Sequence, residues 1–254
     1  MRRFFVEQGS LVDGAKIQLD GDEFHHLKNV CRLEEGERVE LLDGRGLIAL
    51  SEIETLGKRS ATLKIIVIQK MPEQPAPHVR IILGVPRFQK MDLIIQKCVE
   101  LGATEVTPVV SDRSFVKKLS KELDGKVGRW NKVAIEACKQ SGRAWPMKIG
   151  EFSRLQDEVE KFAVGGTSGA KDSGLFLYEG DAATDIKSAL QKFATTPREL
   201  NLFIGAEGGF SPEEVSLFKA KGLKPVTLGP LVLRVETACI TILSIIQYHF
   251  DLMR

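Results

Sequence analysis

No stretch of this sequence stays apolar long enough to cross a membrane. The longest runs, IILGVP and CITILSII, fall well short of the roughly 20 residues a spanning helix needs. The opening MRRFF leads into acidic and polar residues rather than the apolar core of a signal segment. Both absences predict a cytoplasmic protein with no membrane partner. Cysteine is scarce as well. Cys31, Cys98, Cys138 and Cys239 lie far apart, with no C-x-x-C pair and no clustered histidines. That pattern speaks against a disulfide framework and against a metal site, and it predicts buried free thiols. The phosphate-binding pattern G-x-x-x-x-G-K-[ST] is also missing. A single G-x-G-x-x-A match, Gly44, Gly46 and Ala49, sits between two strand-like runs with no helix after it. It reads as a hairpin turn, which argues against a nicotinamide-dependent oxidoreductase.

What is present is ordinary globular material. Of 254 residues, 43% are hydrophobic and 28% charged, enough for one large domain or two unequal ones. Pro72, Pro75 and Pro77 fall within QKMPEQPAPHVR, an extended connector where a domain boundary is expected. Before it, GERVELLDGRGLIALSEIE and SATLKIIVIQK alternate apolar and polar residues, so residues 1–71 read as a small β-rich module. After it, residues 78–254 alternate strand and helix. VRIILGVP reads as a buried strand. FQKMDLIIQKCVELG then places Met91, Ile94, Ile95, Cys98 and Leu101 on one helical face and stops at Gly102, and TEVTPVV is again strand-like. GLFLYEG, LNLFIG and KPVTLG are three further short apolar runs that end in glycine. The alternation predicts an α/β fold with a mostly parallel sheet. A last helix is expected from Glu236 to about Met253, with Ala238, Ile242, Ile245, Ile246 and His249 at helical spacing, and GGTSGAKDSG, residues 165–174, is expected as a surface loop.

Net charge is only +2, but it is unevenly spread. Between Ser111 and Lys148 stand Arg113, Lys117, Lys118, Lys121, Lys126, Arg129, Lys132, Lys139, Arg143 and Lys148, against Asp112, Glu122, Asp124 and Glu136. Such a stretch can neutralise several phosphates, or it can be a solvated helix face. In an open α/β sheet, ligands sit beyond the carboxyl ends of the strands. Three of those ends are glycine-bearing turns: Tyr178-Glu179-Gly180, Gly205 to Gly209, and Leu228-Gly229-Pro230. In SPEEV, Ser211, Pro212 and Glu214 spell a capping box, a structural feature. The glutamates there would repel phosphate, so the glycines serve some other ligand or simply a tight turn.

IGAEGGFSPEEV followed by LGPLVLRVETA resembles the paired signature of the SPOUT-class RNA methyltransferases. The whole chain is similar to the family that methylates N3 of a uridine in small-subunit ribosomal RNA. RRFFV, HHLKNVCRLEEGERVELLDGRG, KCVELGATEVTPVVSDRS and EACKQSGR fit that family's pattern in order. The resemblance implies a trefoil-knotted carboxy-terminal α/β domain, a smaller PUA-like RNA-binding domain before it, and a homodimer. It implies an S-adenosylmethionine site built from Tyr178, Glu179, Ile204, Gly205, Gly208, Gly209, Leu228, Gly229, Leu231, Leu233, Thr237 and Ala238. Ala206 stands where the turn usually carries proline, a change expected to loosen it slightly.

Arg234 is the candidate catalytic residue, a guanidinium that can stabilise negative charge on O2 and O4 as the N3 proton leaves. An ion pair with Glu236 is the structural alternative, and Glu236 and Thr237 are expected to cap the last helix. Candidate RNA contacts are Arg3, His26, Lys28, Arg32, Arg113 and Arg143, with Phe4 and Phe5 readable as a stacking surface or as core. An extrahelical base is required, which suggests the assembled 30S particle as substrate. A non-catalytic RNA-binding assembly factor, or a methyltransferase acting on another ribosomal or transfer RNA site, are the alternatives.

Overall fold

The computed structural model describes residues 1–6, 11–162, 173–180 and 184–253. The chain divides into two compact units, one of residues 1–74 and 136–146, the other of 75–135 and 147–254. The division near Gln74 falls inside the proline-rich connector. The return of residues 136–146 to the first unit has no counterpart in the sequence periodicity.

In the first unit, β1 (Arg3–Phe5), β2 (Lys16–Leu19), β3 (Arg38–Leu42), β4 (Leu47–Leu56) and β5 (Ala61–Lys70) form one sheet in the order β1-β3-β4-β5-β2. Between β2 and β3 lie a short helix, α1 (Gly21–His25), and one π-helical turn, His26–Val30. The G-x-G-x-x-A match is the β3–β4 hairpin turn, as read. Gly44 and Gly46 have φ of 71° and 90°, and Asp43 Oδ1 accepts hydrogen bonds from the amides of Arg45 (2.7 Å) and Leu47 (2.9 Å). Phe4 is fully buried with Leu27, Val39, Leu41 and Leu63, so it is core rather than a stacking surface.

The second unit contains β6 (His78–Gly84), α2 (Phe88–Glu100), β7 (Glu105–Val110), most of α3 (Glu122–Ser141), β8 (Lys148–Ile149), β9 (Ser153–Arg154) and α4 (Leu155–Lys161). It continues with β10 (Ser173–Leu177), β11 (Thr184–Asp185), α5 (Ile186–Leu190), β12 (Glu199–Ile204), α6 (Pro212–Ala220), β13 (Lys224–Thr227) and α7 (Val235–His249). The strands form one sheet, β11-β13-β10-β12-β6-β7-β8, with β9 also on β7, and every described pairing is parallel. The central strands β12, β6 and β7 are buried along nearly their whole length, as strands covered on both faces must be. Of the expected loop at 165–174, residues 165–172 lie outside the described residues, and Ser173 and Gly174 open β10.

Helix α2 buries Met91, Ile94, Ile95, Cys98 and Val99. Leu101 is its half-buried C-cap rather than a member of that face, and Gly102 at φ 79° ends the helix. Helix α7 packs on α2 and β12 and buries Val235, Ala238, Cys239, Ile242, Leu243 and Ile246. Ile245 and His249 are only half-buried, and the helix stops at His249 because Asp251 turns to φ 55°. All four cysteines are free and three are buried. The Cys98 thiol and burial both push the Cys239 thiol up, so it stays protonated.

One polar network ties the sheet to α4. Arg80 bonds Glu105 (3.0 Å), Thr107 (2.9 Å) and Glu158 (2.7 Å), and Lys161 reaches Glu158 at 2.8 Å. Burial pushes both carboxyls up. For Glu105 this is outweighed by Thr107, Arg80 and Lys148, and for Glu158 by Lys161 and Arg80, so both end below the usual range. Carboxyls lowered in the folded state add stability that is complete above their unfolded value near 4.5 and is lost as pH falls through the lower folded values. Arg80→Met leaves Glu158, 3% exposed, with Lys161 as its remaining cation. We expect a loss of about 2–3 kcal/mol in urea unfolding at neutral pH, shrinking below pH 4 as the carboxyls protonate.

Candidate functional site

Three neighbouring strands bring three turns to one edge of the sheet. Leu177 of β10 pairs in register with Val226 of β13, and Phe176 with Phe203 of β12. The next residues, Tyr178, Gly205 and Thr227, therefore leave the sheet at about the same level. The turns they start, with the segment leading into α7, enclose a cavity of about 400 Å³. That size suits a small ligand.

The glycines are there for backbone approach. Gly209 donates to Ala206 O at 2.9 Å and has φ 66°, so the turn folds back on itself. A Cβ on Gly205 would lie 2.8 Å from Gly209 Cα, and one on Gly84 would lie 2.9 Å from the Ala206 nitrogen. Arg113 Nη1 donates to Gly208 O at 3.0 Å across the same turn. Phe176, Phe203, Phe210 and Phe218 form an aromatic cluster, with Phe176 and Phe218 stacked at 4.6 Å. The capping box of α6 is formed as read: Ser211 Oγ accepts from Glu214 N (3.2 Å), and Glu214 Oε2 accepts from Ser211 N (2.8 Å).

The start of α7 departs from expectation. Arg234, with an extended backbone, holds the N-cap position and gives no side-chain cap, so Glu236 and Thr237 fall at the second and third helical positions. Buried Val235 fixes the helix start one residue earlier than read, and Glu236 turns to Lys90 instead of capping. No side chain caps the first amides of α7, and of its first three residues only Val235 lines the cavity. The Arg234 side chain is exposed and makes no hydrogen bond or ion pair among the described residues, so the alternative of a pair with Glu236 is not what the structure has. Lys90 Nζ lies 3.2 Å from Glu236 and 3.3 Å from Glu207, joining α7 to the glycine turn. Burial raises the Glu207 carboxyl, but backbone amides and Lys90 bring it below its ordinary value, so it is anionic at neutral pH.

Tyr178, Glu179, Ile204, Gly205, Gly208, Gly209, Leu228, Gly229, Leu231, Leu233, Arg234 and Ala238 all line the cavity, and Arg113 joins them. Thr237 does not: it is exposed on α7. Lys90 and Glu207 also line it and were missed. Glu207 lies inside the quoted turn, whereas Lys90 has no local signal, being placed by packing of α2 on α7. Leu231 and Val232 are 78% and 73% exposed at the cavity rim.

The remaining candidates lie in the first unit, and several are committed to structure. Arg3 bonds Glu40 (2.7 Å) and the carbonyls of Lys139 (2.9 Å) and Gln140 (3.0 Å). Arg143 bonds Trp145 O (2.7 Å) and Gln74 (2.8 Å), and Lys28 bonds Gly57 O (2.7 Å). The His26 ring meets Phe4 edge-on at 5.8 Å, and Arg32 is exposed at φ 54°. In the basic stretch, Lys139 is 7% exposed between Glu23 and Glu136. Among the described residues no cluster could hold a metal ion, and no helix is long and apolar enough to cross a membrane.

Residues 72–247 match the RNA methyltransferase domain model, and residues 19–66 match the RNA methyltransferase PUA domain model. The chain is 30% identical to ribosomal RNA small subunit methyltransferase E of Bacillus subtilis, over 100% of this chain and 99% of that protein. The Neisseria gonorrhoeae enzyme of the same name, solved bound to S-adenosyl methionine, superposes with a TM-score of 0.84 at 26% identity, covering 98% and 97% of the two chains. A Legionella pneumophila methyltransferase, solved with the same cofactor, gives 0.85 at 27% identity, covering 97% and 96%. With a matched catalytic-domain model, a matched PUA model and full-length similarity, the chain belongs to the ribosomal RNA small subunit methyltransferase E family.

Proposed function

We propose that this protein is an S-adenosylmethionine-dependent methyltransferase that modifies N3 of a uridine in small-subunit ribosomal RNA. The observation that carries the reading is the 400 Å³ cavity at the β10, β12 and β13 ends, with an arginine on its wall whose side chain is unpartnered among the described residues.

The residues present fit S-adenosylmethionine. A neutral adenosine calls for apolar walls and bare backbone, which Ile204, Leu228, Leu233, Ala238 and the glycine turns offer. A sulfonium calls for carbonyls and carboxylates, and Glu179 and Glu207 stand at the wall. Once bound, the cofactor supplies an electrophilic methyl group for in-line displacement. Arg234 would donate to one flanking carbonyl oxygen, O2 or O4, from the side away from N3, and so stabilise the charge that spreads there as the N3 proton leaves to solvent. That placement leaves the in-plane N3 lone pair free to attack the methyl group, and the guanidinium stays charged throughout. Leu231 and Val232, exposed at the rim, would exclude water or meet a second subunit. A homodimer, a knotted carboxy-terminal topology, a cytoplasmic location and the assembled 30S particle as substrate complete the reading. The particle is favoured because an extruded base costs about a few kcal/mol unless the substrate already splays it out.

Calorimetry with S-adenosylmethionine tests the cofactor assignment. Stoichiometric binding is expected, and at a hundredfold excess over Kd it should stabilise the fold by about 2.7 kcal/mol, raising Tm by several degrees. Absence of both heat and thermal shift, in a protein that still binds RNA, would favour a non-catalytic assembly factor.

A further inference from the structure

A second cavity, about 830 Å³, opens at the carboxyl end of β7, bounded by residues 110–112 and 117–119, the start of α4 and the first turn of α6. Its lining includes three cations, Lys117, Lys118 and Arg154. The Lys118 and Arg154 side chains are exposed and make no hydrogen bond or ion pair among the described residues, while Lys117 donates to Asp112 O at 2.6 Å. The carboxylates in the lining are largely occupied. Glu214 accepts from the amides of Asp112 and Ser211, both at 2.8 Å, and Asp112 Oδ2 accepts from Ser211 Oγ at 2.6 Å. Glu213, in the first turn of α6, is an exposed carboxylate that would repel phosphate, so the positive side of the opening is the 117–119 loop and the start of α4, where Lys118 and Arg154 stand. The same loop carries Phe115, 55% exposed although one edge meets Phe88, between Arg113 and the two lysines. Interleaved cations and an exposed aromatic suit a single-stranded nucleic acid. Asp112 lines this cavity and Arg113, the next residue, lines the cofactor-sized one, so the two openings are neighbours along one loop.

We propose that this groove is a binding site for the phosphodiester backbone of the RNA beside the nucleotide to be methylated, with Lys117, Lys118 and Arg154 as phosphate contacts and Phe115 as a base platform. The proposal rests on reading the protein as an RNA methyltransferase. It assigns part of the RNA affinity to the second unit itself and picks Lys117 and Lys118 out of the basic stretch.

The test is the double variant Lys118→Gln with Arg154→Gln, compared with wild type and with the charge-conserving Lys118→Arg with Arg154→Lys. Binding of a fluorescent small-subunit ribosomal RNA fragment is measured across a salt series, and S-adenosylmethionine binding by calorimetry. The double glutamine variant should bind RNA at least tenfold more weakly, with a log–log salt slope shallower by about 2, one for each phosphate contact removed. Cofactor affinity should not change, because neither residue lines the first cavity, and the charge-conserving variant should keep most of the RNA affinity. An unchanged slope and affinity in the glutamine variant would overturn the proposal. Failure of the methyltransferase reading would show separately, as a wild-type protein that binds no cofactor.

Discussion

Arg234→Ala is expected to lower the rate of methyl transfer at least a hundredfold while leaving cofactor binding within a few-fold of wild type. The side chain is exposed, has no partner among the described residues and contributes no cap to α7, so its removal costs the fold little. On the proposed reading, what is lost is a positive group beside an oxygen that gains charge only as N3 loses its proton. Removing one such donor typically costs 10²–10³ in kcat, about 2.7–4 kcal/mol. Single-turnover rates with saturating RNA, read beside calorimetric cofactor affinity, separate this role from a binding one. Arg234→Lys should recover part of the rate but not all, since a strongly hydrated ammonium on a flexible stem does not reproduce the fixed donor direction of the guanidinium. An Ala variant that turns over normally would remove Arg234 from the chemistry.

Gly205→Ala is expected to raise the Kd for S-adenosylmethionine at least tenfold and to cost about 1–3 kcal/mol of stability. The added methyl would sit 2.8 Å from both Gly209 Cα and Gly209 C, which are backbone atoms that cannot swing aside. Phe203 and Phe210, on either side of the turn, are both fixed in the buried aromatic cluster with Phe176 and Phe218, so the ends of the turn have little room to shift. The turn must move outward, into the cavity it lines. Ala206, by contrast, is buried in the same turn with its Cβ already accommodated. Calorimetry and urea unfolding of the Gly205 variant check the two effects. Unchanged cofactor affinity would mean that the glycine turn is only a turn.

The sequence revealed those features that depend on local period and turn chemistry. The alternation in ELLDGRGLIALSEI became the β3–β4 hairpin, SPEE became a closed capping box, and three apolar runs ending in glycine became adjacent parallel strands. The cavity was legible for the same reason, since ligand sites follow the carboxyl ends of such strands. Features that depend on tertiary pairing were not legible. Nothing local marks Lys90 as the link between Glu207 and Glu236, nor shows that Arg3 is held by Glu40 and two carbonyls near the end of α3. The expected cap at Thr237 fails for a similar reason. Where the last helix begins was decided by burial of Val235, not by the better intrinsic cap at Thr237. The basic stretch from Ser111 to Lys148 was visible as composition, but only the fold distinguishes buried Lys139 from exposed Lys118.

The most direct test of the central claim is to incubate the protein with methyl-labelled S-adenosylmethionine and small ribosomal subunits from cells lacking the activity, then digest the RNA to nucleosides. The account predicts label in 3-methyluridine with wild type and at least a hundredfold less with Arg234→Ala. Label in another nucleoside, or none from a protein that binds both cofactor and RNA, would contradict it.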